Sequence, residues 1–140
     1  MEIQTERLKL VPATKEFTSQ ISRAEYQMGP HIPYYLKQLN QDPSQYGWGV
    51  WFAIKKEDNK IIGDLGFKGK PILEKEVEIG YSISPSFQGK GYATEAIQGL
   101  IKWAASTGKV KKIVAQCFED NHASIKVLEK IGMKKNRTKI

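Results

Sequence analysis

The chain has 140 residues, 40% of them hydrophobic and 26% charged, which fits a single domain able to bury a core without disulfides or a structural metal. No apolar run approaches the roughly 20 residues that span a bilayer, the first residues lack a secretory layout, and one cysteine forms no internal disulfide, so a cytoplasmic protein is expected. The 22 basic against 15 acidic residues leave a net charge of +7, which reads either as a solubilising surface or as attraction to a polyanion.

In chain order, Thr5-Glu6-Arg7-Leu8-Lys9-Leu10-Val11-Pro12 alternates polar and apolar and predicts a first strand stopped by proline. Residues 13–45 carry a weaker signal of one or two short helices, broken at Gly29-Pro30 and at Pro33 and closed by Pro43. Residues 48–56 are aromatic and β-branched, 57–60 form a turn, and 61–68 return as the partner strand of a hairpin. In residues 77–83, Val77, Ile79, Tyr81 and Ile83 share one face of a strand, and Glu78, Gly80 and Ser82 the other. A helix is expected over 94–107 from Ala96, Ile97, Leu100, Ile101 and Ala104, with Gly108 as its stop. Residues 113–118 read as a buried strand that makes Cys117 a small core residue, and Asn121 caps a last helix that Gly132 ends. This order predicts an α+β fold with a mixed, largely antiparallel sheet, as one domain over residues 1–140.

The stretch with chemistry joins the third strong strand to the helix: Pro85-Ser86-Phe87-Gln88-Gly89-Lys90-Gly91-Tyr92-Ala93. Its glycines admit a ligand close to the backbone, and its amides with the following helix N-terminus suit a pyrophosphate. On loop physics alone a plain glycine turn is the better reading. Neither a P-loop nor a dinucleotide fingerprint occurs; the spacing present is Gln-x-x-Gly-x-Ala over Gln88, Gly91 and Ala93.

That spacing between a strand and a helix resembles the acetyl-CoA signature of the GNAT superfamily of N-acetyltransferases. Thr5 to Leu10, Ile62-Gly63-Asp64-Leu65-Gly66-Phe67, Glu78-Ile79-Gly80-Tyr81 and the segment from Asn121 to Met133 are similar to its RimJ/RimL-like branch, in the same order. The resemblance implies an α/β/α fold whose sheet splays two parallel strands apart, helped by a β-bulge in the strand ending at Ile83. It implies that the amides of Gln88, Gly89, Lys90, Gly91, Tyr92 and Ala93, with Thr94, hold the pyrophosphate of acetyl-CoA. The strand at Ile83 would pair with the pantetheine arm, and Asn121, with Ser124 one turn on, would reach the cofactor. Helix capping explains Asn121 equally.

The implied reaction is direct attack of a primary amine on the thioester, with the amine from a protein N-terminus or a small molecule. A backbone amide near Tyr81 would polarise the carbonyl, and Glu78 would take the proton, unless it is only a solvent-facing glutamate; Asp64 is the second candidate. Where many relatives carry a tyrosine acid on the last helix, this chain has Leu128. His31 and His122 read as loop and cap residues, no Ser/His/Asp arrangement suggests an acyl-enzyme, and no metal site is expected. Tyr34, Tyr35, Trp48 and Trp51 line an acceptor pocket or, for the tryptophans, pack a core. The family's closing hairpin has room for at most one strand from Lys134, so a homodimer covering the sheet edge is expected. Rival readings are a non-enzymatic acyl-CoA-binding module and a basic ribosome- or RNA-binding module. Lys109, Lys111 and Lys112, and Lys134, Lys135, Arg137 and Lys139, are not interleaved with aromatics as a single-strand groove would be, so nucleic acid is not the favoured partner.

Overall fold

A computed structural model describes residues 1–117 and 120–134. Its strands form one sheet in sequence order: β1 (Ile3–Gln4), β2 (Leu8–Pro12), β3 (Val50–Lys55), β4 (Ile61–Phe67), β5 (Glu76–Ile83) and β6 (Lys112–Ala115). Neighbours from β1 to β5 run antiparallel, and β5 and β6 run parallel. Helices α1 (Lys15–Ser19) and α2 (His31–Gln41) precede β3, α3 (Tyr92–Ser106) connects β5 to β6, and α4 (His122–Lys130) follows.

Both faces of the central sheet are covered, which is why Val50, Trp51, Phe52, Ala53 and Ile54 are all buried along β3. Trp51, Ala53, Leu65, Val77 and Ile79 pack on Ala96, Ile97, Leu100 and Ala104 of α3. On the other face Val50, Phe52 and Ile54 meet Tyr26 and, from α2, Ile32 and Tyr35. At about 1.5–3 kcal/mol for each large apolar side chain, these two layers supply the main driving force. The tryptophans belong to the packing: Trp103 of α3 lies 4.8 Å from Trp48 and 5.2 Å from Trp51, ring centre to ring centre. Tyr35 is buried, with its hydroxyl donating to the Gln45 carbonyl, whereas Tyr34 is exposed.

The structure corrects several details. The first strand is two short ones, because Thr5 closes a turn by accepting the Leu8 amide at 3.0 Å. Pro33 does not break α2; it sits in the first turn, whose N–H groups have no intrahelical partner to lose. The irregularity of the sheet is not in β5, whose register with β4 is unbroken from Gly63↔Ile83 to Phe67↔Ile79. It lies where Ala53 faces Gly63 but Ile54 faces Ile61. The extra residue lets Ile62 join the α3 core while Asp64 turns to the opposite face. Cys117 is exposed, beyond the end of β6 at Ala115. Phe118, expected to end that strand, and the segment after Lys134 lie outside the described residues.

Candidate functional site

β5 outlasts its parallel neighbour. The β5·β6 pairing runs from Glu76↔Lys112 to Ile79↔Ala115, and from Gly80 to Ile83 the strand pairs, among the described residues, with β4 alone. Lys68 N–H donates to the Glu78 carbonyl at 3.0 Å and Ser84 N–H to the Ile62 carbonyl at 2.8 Å. By the alternation of an antiparallel ladder, Gly80 and Ser82 aim their backbone groups at β4, and Tyr81 and Ile83 aim theirs into the opening beside β6. The Tyr81 hydroxyl is buried without a hydrogen-bond partner among the described residues.

The glycine loop leaves the end of this opening. Gln88 donates its side-chain N–H to the Ile83 carbonyl at 2.8 Å, folding the loop back on the strand. Gly89 and Gly91 take φ of +74° and +83°, the left-handed region that side chains disfavour. Gly91 is the N-cap of α3 and has no side chain with which to cap the amides of Tyr92, Ala93 and Thr94. A fifteen-residue helix therefore presents an uncapped, positively polarised end to the loop.

The loop is pinned from far away in sequence. Arg7 donates from its backbone N–H to Glu95 Oε2 and from Nε to Oε1, each at 2.7 Å, and from Nη1 to the Lys90 carbonyl at 3.0 Å. Thr5 Oγ1 donates to Glu95 Oε2 at 2.5 Å. The guanidinium also lies 4.2 Å from the centre of the Tyr92 ring. Burial alone would raise the Glu95 pKa, but its donors, Thr5 and Arg7, outweigh burial and hold it below the ordinary carboxylate value. The Thr5-Glu6-Arg7 block thus acts as a tie between β2 and the start of α3. Nothing local in the sequence signals this tie.

At the other rim Asn121 caps α4, its Oδ1 accepting the Ser124 amide at 3.1 Å. Capping occupies one side-chain oxygen and leaves the amide NH₂ free for a ligand. Leu128 is half-buried on α4 and brings no hydroxyl.

On the sheet face away from α3 stand Glu78, Gly80 and Ser82. Glu78 pairs with Lys68, Oε2 to Nζ at 2.6 Å. Asp64 lies directly opposite Ser82 across the ladder and is only 5% exposed. Two donors satisfy it: Tyr26 OH to Oδ2 at 2.5 Å and His31 Nε2 to Oδ1 at 2.7 Å. Burial first, and then the carboxylate, push the Tyr26 phenol far above its ordinary range, so it stays a neutral donor. The His31 side chain is 52% exposed. Reading His31 as a loop residue missed this trio; the available signal was a charged residue inside the apolar run of β4, which demands buried partners. Among the described residues no group of three His, Cys, Asp or Glu is placed to hold a metal ion, and no helix is long and apolar enough to cross a membrane.

The sequence profile of the acetyltransferase (GNAT) domain matches residues 7–134. An uncharacterised N-acetyltransferase of Bacillus subtilis, YjdG, is 41% identical over 101 residues, covering 72% of this chain and 60% of the relative. The ribosomal-protein-serine acetyltransferase of Escherichia coli is 38% identical over 88 residues, covering 63% of this chain and 49% of that protein. The chain thus spans about half the length of the curated relatives it matches. Among solved structures, a GNAT-family acetyltransferase from Bacillus anthracis superposes with a TM-score of 0.67 at 28% identity, over 98% of this chain and 86% of its own. RimL, a ribosomal-protein alpha-N-acetyltransferase solved in complex with coenzyme A, shares the fold with a TM-score of 0.74 at 20% identity, over 94% and 83% of the two chains.

Proposed function

The chain belongs to the GNAT family of acetyltransferases, and from that premise we propose that it moves an acetyl group from acetyl-CoA to a primary amine, either a protein N-terminus or a small molecule. The observation that carries this reading is the junction of a β5 edge, unpaired among the described residues, with an uncapped α3 N-terminus across the loop from Gln88 to Ala93. Together they match a donor with an extended amide-bearing arm and a pyrophosphate.

The chain's residues fit that donor on their own chemistry. The amides of Gln88 through Ala93 and of Thr94 would take the pyrophosphate oxygens, with Lys90, exposed in the loop, adding positive charge. Ile83 and Tyr81 would pair their backbone groups with the pantetheine arm as a neighbouring strand would. Asn121, through its free NH₂, and Ser124 would close the site from α4. When bound, acetyl-CoA supplies an activated acyl group whose carbonyl oxygen gains negative charge as the amine attacks. The Tyr81 amide, aimed into the opening, would be the donor that stabilises that charge. Because an amine attacks only when unprotonated, the face bearing Glu78, Gly80 and Ser82 must also hold a proton acceptor. Glu78 stands there, paired with Lys68.

The test is to mix the protein with acetyl-CoA and a panel of amines and to follow the released CoA thiol. The panel contains peptides with a free N-terminal serine or alanine, and small polyamines. Thiol release that needs one class of amine, with the acetylated amine seen by mass spectrometry, is the expected result. Binding of acetyl-CoA with silence across the panel would mean a binding module instead.

A further inference from the structure

Resting on that reading, we propose that His31, held by Asp64, is the catalytic proton acceptor for the amine. Three features of the fold lead there. Asp64 accepts from His31 Nε2, so in the neutral ring that nitrogen carries the proton and Nδ1 keeps its lone pair. Nδ1 has no hydrogen-bond partner among the described residues, while Asp64 is fully engaged by His31 and Tyr26.

The second feature is position. Asp64 opposes Ser82, and the Tyr81 amide lies between Ser82 and Gly80 on the adjacent strand. Asp64, which holds the ring, stands one strand spacing of about 4.8 Å from Ser82, the neighbour of Tyr81, so His31 is held over the same stretch of β5. The donor loop belongs to the α3 side of the sheet, so a second substrate reaches β5 from the His31 side. A Cβ built on Gly80 would meet nothing within 4 Å there, so that approach is open.

The third feature is Gly29. A Cβ at this position would lie 2.8 Å from both Nδ1 and Cε1 of His31, so the missing side chain is the room the ring occupies. Charged and titratable groups on this face include Asp64 on β4, Tyr26 before α2, Tyr35 of α2, Lys9 of β2, and the Glu78–Lys68 and Glu76–Lys112 pairs.

In the step proposed, the amine nitrogen forms a bond to the thioester carbon and its proton passes to His31 Nδ1. The electron pair of the breaking C–S bond leaves on the CoA sulfur, and the imidazolium returns its proton to solvent. Asp64 and Tyr26 are positioning residues: they fix the ring and its tautomer and do not touch substrate.

The experiment uses the full chain and whichever panel amine the wild type acetylates. For His31→Gln, kcat falls on the order of 100-fold or more, while the acetyl-CoA Kd stays within about twofold of wild type, which also reports an intact fold. His31→Ala regains rate in saturating fashion when free imidazole is added. Gly29→Ala, which shifts a side-chain tip and no backbone, lowers kcat with the histidine still present. His31 variants at wild-type kcat, a loss that imidazole does not restore, or a loss seen only in Glu78→Gln would each overturn the proposal and leave the transferase standing. A wild type silent across the panel would instead remove the transferase reading, and this inference with it.

Discussion

The two faces of the sheet hold two kinds of candidate site. On the α3 side a continuous segment, from the end of β5 through the loop into the helix, makes a surface out of backbone amides, and side chains serve to hold that backbone still. On the α1–α2 side the chemistry is in side chains: Asp64, His31 and Tyr26 come from a strand, a helix start and a loop. A site of amides tolerates many side chains but almost no change of backbone. A site of converging side chains tolerates backbone variation but no loss of a partner. The two should therefore fail differently and independently.

The largest expected effect is on the backbone site. Gly91→Glu puts a side chain on a residue at φ +83°, its Cβ 3.3 Å from the Arg7 guanidinium, and a negative charge where the pyrophosphate is proposed to bind. Acetyl-CoA affinity should fall at least about 100-fold, or roughly 2.7 kcal/mol, in calorimetric titration. The protein should still unfold cooperatively. Retained affinity would mean that the loop does not carry the pyrophosphate.

Next in size is the side-chain site. Tyr26→Phe removes one of two donors from a carboxylate that is 5% exposed. An orphaned buried acceptor of this kind costs about 1–3 kcal/mol, read as a lower urea midpoint with unchanged slope. Acetyl-CoA affinity should not move. A variant that lost affinity instead of stability would show that the two faces are coupled.

The same contrast explains what could be read from the residues alone. The loop was legible because Gln88, Gly91 and Ala93 lie within one short window and their spacing carries the information. The layers were legible because β3, β5 and α3 have strong periodicities. Convergence was not. Arg7 meets Glu95 across 88 residues, and His31 meets Asp64 across 33; no local pattern encodes either meeting. Cys117 was misplaced for a related reason. An apolar run predicts a strand, but the β5·β6 pairing ends at Ile79↔Ala115, and Gln116 and Cys117 lie beyond it. Pro33 misled because a proline in a helix's first turn and one that ends a helix look alike until the start of the helix is known.

A smaller effect is expected where the tie to the loop is altered and the loop itself is not. Arg7→Lys keeps the charge and the backbone N–H to Glu95. It loses the fork that serves Glu95 and the Lys90 carbonyl together. Acetyl-CoA binding should weaken about three- to tenfold, with kcat at saturating donor unchanged. A fall in kcat with unaltered affinity would place Arg7 in the chemistry and not in support of the loop.

The smallest effect is a dependence on pH, and its sign follows from Glu95. This carboxylate titrates below its ordinary value in the folded protein, because its donors outweigh the opposing effect of burial. In the unfolded chain it regains a value of about 4.3. Its contribution to stability is then complete above that value. As pH falls from there through the depressed folded value, the unfolded chain takes up the proton first and the contribution is lost. Other carboxylates act in the same range, Asp42 among them, held at about 2 chiefly by Ser44 and then by Lys70. The readout must therefore be a difference. Thermal midpoints of wild type and Glu95→Gln, compared between pH 7 and pH 3, should converge on acidification, because the variant has already given up what acid takes from the wild type. Parallel curves would mean that Glu95 holds Arg7 no better charged than neutral, and that the loop owes its place to the Lys90 and Tyr92 contacts alone.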